Sequence, residues 1–150
     1  MSQAIHPSAG FPEDAHPSHS TLQDPTYQAY LLLHIGFIVA PIVAGIDKFT
    51  HLLVNWDNYL APVINNNILG GHGHTFMLVA GVIEIIAGIG VAIWPKVFSY
   101  VVALWLLGIV VNLLLIPATT QMPHYDIALR DFGLFLAALA LARLSRVVAH

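Results

Sequence analysis

Apolar residues in this chain fall into long runs, and its polar residues gather mostly at the ends of those runs. Four runs stand out, at about 27–51, 72–94, 97–116 and 126–148. A helix needs about 20 predominantly apolar residues to cross the hydrocarbon of a bilayer. The first run, which contains "YLLLHIGFIVAPIVAGI", has no Asp, Glu, Lys or Arg before Asp47, and Pro41 inside it predicts a local kink. The second carries one carboxylate, Glu84, near its middle. The third carries no charge and one amide, Asn112. The charge-free core of the fourth, 132–142, is too short to cross alone. That helix must extend back through Asp131 and Arg130 and forward through Arg143, whose long stem can snorkel, or else lie at the periphery.

The connections have their own pattern. Between the first two runs lies "VNWDNYLAPVINNNILGG". Trp56 and Tyr59 suit headgroup depth, where amphipathic rings settle. Asn65, Asn66, Asn67, Gly70 and Gly71 make a polar turn, so a short interfacial helix or loop is expected. Pro95 and Lys96 are expected to form the hairpin between the second and third runs.

Composition turns these runs into a class. Of 150 residues, 57% are apolar and only 9% charged. A soluble domain carries about a quarter of its residues as charges. The mean hydropathy is +0.76. The expected fold is all-α, an integral membrane four-helix bundle over 27–150. Residues 1–26 lack a periodic apolar face and are expected to form a flexible polar tail. Its histidines, His6, His16 and His19, read as solvated tail residues or as ligands for a metal or partner subunit. The tail has no basic stretch ahead of an apolar core, so it does not read as a signal peptide.

There is no cysteine, which excludes disulfides, thiolate catalysis and cysteine-ligated clusters. A net charge of −3 with scattered basic residues gives no nucleic-acid footprint and no polybasic lipid-binding patch. The HExxH, nucleophile-elbow, phosphate-loop and dinucleotide-binding patterns are absent, so soluble hydrolase, kinase and dehydrogenase readings have no support. Lys96, Arg143 and Arg146 fall at the end that holds the N-terminal tail, so the positive-inside rule places both termini in the cytoplasm. A bacterial inner membrane is the expected location.

Counting depth at about 1.5 Å per residue brings polar groups from all four runs to the outer half. They are Asp47, Lys48 and His51; His72 and His74; Asn112; and His124, Asp126, Arg130 and Asp131. Charges at membrane depth must be paired, hydrated or turned inward. Bridges between helices, Asp47 with Arg130 or Lys48 with Asp131, are expected. Two readings stay open: a network that fixes packing, or a polar pocket for a headgroup, a quinone ring or a proton path.

Glu84 lies deeper, on one helix side with His74, Met77, Gly81 and Gly88, and the two glycines permit close helix approach. A lone buried carboxyl is expected to stay protonated and donate a hydrogen bond, in a structural role or in proton transfer or cofactor contact. By depth its nearest inner partner is His34, which reads as a neutral histidine satisfied by Glu84 or by a carbonyl. A haem ligand is the other reading of His34, but no run offers a second inner histidine. His72 and His74 with His51, His124 or Asp126 offer a divalent metal set.

The pieces "VAGIDKFTHL" at 43–52, "LVAGVIEIIAGIGVAIWP" at 78–95 and "YDIALRDFGLFLAALAL" at 125–141 resemble the DoxX-like group of small four-helix membrane proteins. That group includes the membrane subunit of thiosulfate:quinone oxidoreductases. Lys48, Glu84 and Asp131 look like its polar positions. The asparagine- and histidine-rich first loop and the long polar tail depart from the group. The resemblance implies an accessory membrane subunit of a respiratory or other electron-transfer complex, stabilising assembly among lipids and a larger protein complex. A quinone-binding redox subunit is the second expectation, with Glu84, Lys48, Arg130, Asp131, Asp47, Asn112, His34 and His74 as contacts. A small oligomeric transporter or channel is the third.

Overall fold

The computed structural model describes residues 23–117 and 124–148, all of whose regular elements are helical. Most of the tail, with His6, His16 and His19, lies outside the described residues. α1 spans Pro25–Thr50. Asp24 caps it by accepting from the Thr26 amide at 3.0 Å, and Pro25 stands where a missing N–H costs nothing. Pro41 does not interrupt it. A 3-10 turn at Trp56–Tyr59 and a short α2 at Pro62–Asn67 form the first connection, and Gly70 and Gly71 take positive φ to turn the chain into α3.

α3 spans Gly73–Ile93 and α4 spans Pro95–Leu114. The hairpin between them is tighter than the sequence suggested. Trp94 alone links the helices, while Pro95 and Lys96 already belong to the first turn of α4. A proline at the first helical position is preset for the helix and removes only an orphan donor.

α5 spans Tyr125–Val148. Three helices, α1, α3 and α4, are long and apolar enough to cross a membrane. α5 carries Asp126, Arg130, Asp131, Arg143 and Arg146 and is not among those three.

The long helices contact one another in a ring: α1 on α3, α3 on α4, α4 on α5, and α5 on α1. One apolar cluster joins Phe37, Ala87, Val91, Val102, Ala103, Ala138 and Leu141. A second, at the other end, joins Ala61, Val110, Leu113, Ile116 and Ala128. Exposed apolar residues are as telling: Leu32, Ile35, Val39, Leu104 and Leu129 face outward, as they would toward lipid.

α1 and α3 run antiparallel and touch backbone to backbone. A Cβ added to Gly45 would lie 2.5 Å from the Gly81 carbonyl oxygen, and one added to Gly81 would lie 2.7 Å from the Gly45 oxygen. Lower down, Gly88 faces Ile38 and Ile42. Small residues allow such approach where no hydrophobic force favours one apolar helix over lipid. The approach expected at Gly81 and Gly88 forms, with Gly45 as its counterpart.

Candidate functional site

The centre of the polar architecture is an ion pair between α1 and α3. Lys48 Nζ donates to Glu84 Oε2 at 2.6 Å, with both residues buried at 4% and 6% exposure. Helical Cα–Cβ bonds tilt toward the N-terminus. Lys48 lies near the C-terminal end of α1 and tilts back toward mid-bundle, while Glu84 on the antiparallel α3 tilts up to meet it. The gap in residue depth between them is closed by these opposed tilts and the length of the lysine stem.

Two tryptophans complete the pair. Trp105 on α4 donates from Nε1 to Glu84 Oε1 at 3.1 Å. The Trp56 ring lies over Lys48 with Nζ 3.8 Å from its centroid, a cation–π contact. Trp56 also donates from Nε1 to Asp47 Oδ2 at 2.7 Å. Asp47, itself 3% exposed, accepts from the backbone amides of Leu52 and Leu53 at 2.9 Å each. It thus caps the turn in which His51 takes a left-handed φ of 51°. The series Asp47, Trp56, Lys48, Glu84, Trp105 ties α1, the 3-10 turn, α3 and α4 together.

This geometry corrects several expected pairings. Lys48 pairs with Glu84 and not Asp131, because α3, not α5, lies against its face of α1. Asp47 is held by backbone amides and an indole and not by Arg130. Arg130 instead reaches its neighbour, Nε to Asp131 Oδ1 at 3.3 Å, with the arginine side chain largely exposed and the aspartate nearly buried. Glu84 is not a lone carboxyl; both of its oxygens accept hydrogen bonds. Of the two partners expected for His34, the carbonyl is the one found: its Nε2 donates to Val91 O at 2.9 Å, and not to Glu84. A carbonyl only accepts, so Nε2 carries the proton and donates, and the lone pair is on Nδ1.

Asn112 stands apart from the ion pair. Its Nδ2 donates to the Tyr59 carbonyl at 2.6 Å and its Oδ1 accepts from the Ala61 amide at 2.9 Å, clasping the first connection onto α4. Ala61 is fully buried, so Asn112→Leu should leave its amide without a partner. The cost of such an orphaned donor is about 1–3 kcal/mol. Hydrogen exchange across 55–67 should accelerate in this variant; unchanged protection there would show that the clasp is dispensable.

The histidines of the outer end divide. His74 Nδ1 lies 2.9 Å from Asp57 Oδ2, and its ring stacks on His51 at 5.9 Å. His72 bonds to its own turn through the Leu69 carbonyl, and His124 stacks on Tyr59 at 4.5 Å. Asp57, Trp56 and Trp105 are the site residues that sequence reasoning missed. The available signal was that Trp105 is the one tryptophan well inside a span, and its N–H needs an acceptor at that depth.

No protein-family model matches the chain, and comparisons with curated proteins and with solved structures gave no match.

Proposed function

We propose that the chain is an accessory membrane subunit of a respiratory or other electron-transfer complex, and that it holds a partner's transmembrane helix against α1. The observation that carries this reading is an open apolar groove lined by Gly36, Val39, Ala40, Val43, Ala44, Leu53 and Trp56. Gly36, Ala40 and Ala44 recur every fourth residue, and nothing lies within 4 Å of a Cβ placed on Gly36. Small residues at this spacing let a second helix approach closely in lipid. The buried polar groups support the same reading. Lys48, Glu84 and Asp47 are each partnered within the bundle, as in a scaffold that locks its own helices.

The setting is a bacterial inner membrane with four spans and both termini cytoplasmic. α5 lies antiparallel to α4 over its length, with Arg146 beside Tyr100 at one end and Ala128 packed with Leu113 at the other. A helix matched to α4 in this way shares its depth. Lys96, Arg143 and Arg146 then share the end where α1 begins, which supports the sidedness. The DoxX-like resemblance supports the electron-transfer setting.

A quinone-binding role is the second reading, favoured by the position of Trp56 between the groove and the Lys48–Glu84 pair. It ranks second because the groove lining presents no free polar donor; the Trp56 N–H already serves Asp47.

Filling the groove tests the first reading. Gly36→Leu with Ala40→Leu should leave the bundle folded but release partner chains during mild detergent purification. Overpacking of this kind costs about 1–3 kcal/mol, roughly tenfold or more in retention. Undiminished copurification would overturn the docking assignment. Retained assembly with altered quinone kinetics would move the assignment to the quinone site.

A further inference from the structure

The first connection folds back so that three metal-binding side chains from three elements meet at the outer end of the bundle. His51 ends α1, Asp57 lies in the 3-10 turn, and His74 lies in the first turn of α3. One ligand atom from each lies within 4.8 Å of the other two. We propose that His51, Asp57 and His74 form a site for a divalent transition-metal ion, with Zn2+ as the best match. This is independent of the partner-docking reading.

The set has the required chemistry. Imidazole nitrogens suit Zn2+, Cu2+, Ni2+ and Fe2+, and a carboxylate adds charge neutralisation. Two histidines and one carboxylate leave a coordination position for water, as in sites that bind zinc through three protein ligands. Bonds of about 2.0–2.2 Å to a tetrahedral ion place ligand atoms roughly 3.4 Å apart. His74 Nδ1 and Asp57 Oδ2 are already 2.9 Å apart, in a hydrogen bond whose place an ion would take. The His51 ligand atom lies within 4.8 Å of the others, so it needs to close by no more than about 1.4 Å to match that spacing.

Backbone placement argues the same way. The left-handed φ of 51° at His51 turns its ring onto that of His74, with an interplanar angle of 17°. The Asp47 cap on the following amides holds that turn, and the Trp56 indole fixes the position of the residue before Asp57. The site is therefore set by buried groups although Asp57 and His74 are themselves exposed. Of the histidines expected to join a metal set, His72 and His124 are engaged elsewhere, with the Leu69 carbonyl and the Tyr59 ring.

The test uses full-length protein without a polyhistidine tag, purified in detergent, with His6, His16 and His19 replaced by Gln to silence the tail. Co2+ is the probe, titrated by calorimetry and by its visible absorption. One equivalent should bind. Asp57→Asn and His74→Gln should each weaken binding at least about 100-fold, since losing even an outer-shell partner of a metal ligand costs up to that much. His51→Asn, which keeps a residue tolerant of left-handed backbone, should do the same. His72→Gln should change nothing. Pulsed electron paramagnetic resonance of the Cu2+-loaded parent, which needs no site variant, should report two coupled imidazoles. Failure to bind once the tail histidines are gone, binding that survives His74→Gln at parental affinity, or a copper spectrum without imidazole coupling would each overturn the assignment.

Discussion

Replacing Glu84 by leucine is expected to cost about 3–5 kcal/mol of stability, the usual penalty for leaving one half of a buried ion pair without its partner. The Lys48 ammonium would keep only the face of Trp56, and the Trp105 N–H would lose its acceptor. Lys48→Met should destabilise for the mirror reason, leaving a buried carboxylate with a single indole donor. The double variant Lys48→Met, Glu84→Leu is expected to recover most of the loss, because apolar side chains of similar size often replace a buried pair at little or no net cost. Unfolding midpoints in detergent for the parent, both single variants and the double variant measure this directly. Additive losses in the double variant would mean that the two side chains act separately and that the 2.6 Å contact does not organise the bundle.

The second large effect is expected at the crossing of α1 and α3. Gly45→Leu has nowhere to put its side chain: its Cβ would meet the Gly81 carbonyl oxygen at 2.5 Å and the Ile85 side chain at 2.8 Å. The first obstacle is backbone, which cannot rotate aside, so the helices must separate. Overpacking costs about 1–3 kcal/mol where side chains can adjust. The upper end of that range, about 3 kcal/mol, is expected here, together with weakening of the Lys48–Glu84 contact one turn away. Gly108→Ala is the control, because a Cβ there meets nothing within 4 Å. It should be neutral or mildly stabilising, as alanine is the better helix former by about 1 kcal/mol. Similar thermal shifts for Gly45→Leu and Gly108→Ala would contradict the close crossing.

The two variants probe features of unequal legibility. Gly81 and Gly88 were readable as a contact stripe because they repeat on one helix face with Glu84. Gly45 was not, because its partner is set by the register between two helices separated by a long connection. Glu84 and Lys48 were each recognisable as buried polar groups, yet depth counting placed them too far apart to pair. Counting treats each side chain as lying at the level of its Cα. It omits the tilt toward the helix N-terminus, which in an antiparallel pair brings the two ends together.

Asp57 was invisible for another reason. Its neighbours His51 and His74 come from other elements, and only the turn after α1 folds it onto them. Asp47 shows the converse case. Its charge suggested a partner on another helix, but the chain reversal that follows it supplies two amides at 2.9 Å and the Trp56 indole at 2.7 Å.

The sequence by itself determined the helical class and the placement of three spans suited to a membrane. Those properties follow from local quantities: the length of each apolar run, the turn-forming residues between runs, and the cost of leaving backbone groups unbonded in hydrocarbon. The tertiary structure decided which ionisable groups meet: Lys48 with Glu84, Arg130 with Asp131, and His74 with Asp57. Composition is indifferent among these pairings, since any cation can satisfy any carboxylate within reach. Reach is fixed by helix register, side-chain tilt and a glycine contact between helices, and these exist only once the helices have packed.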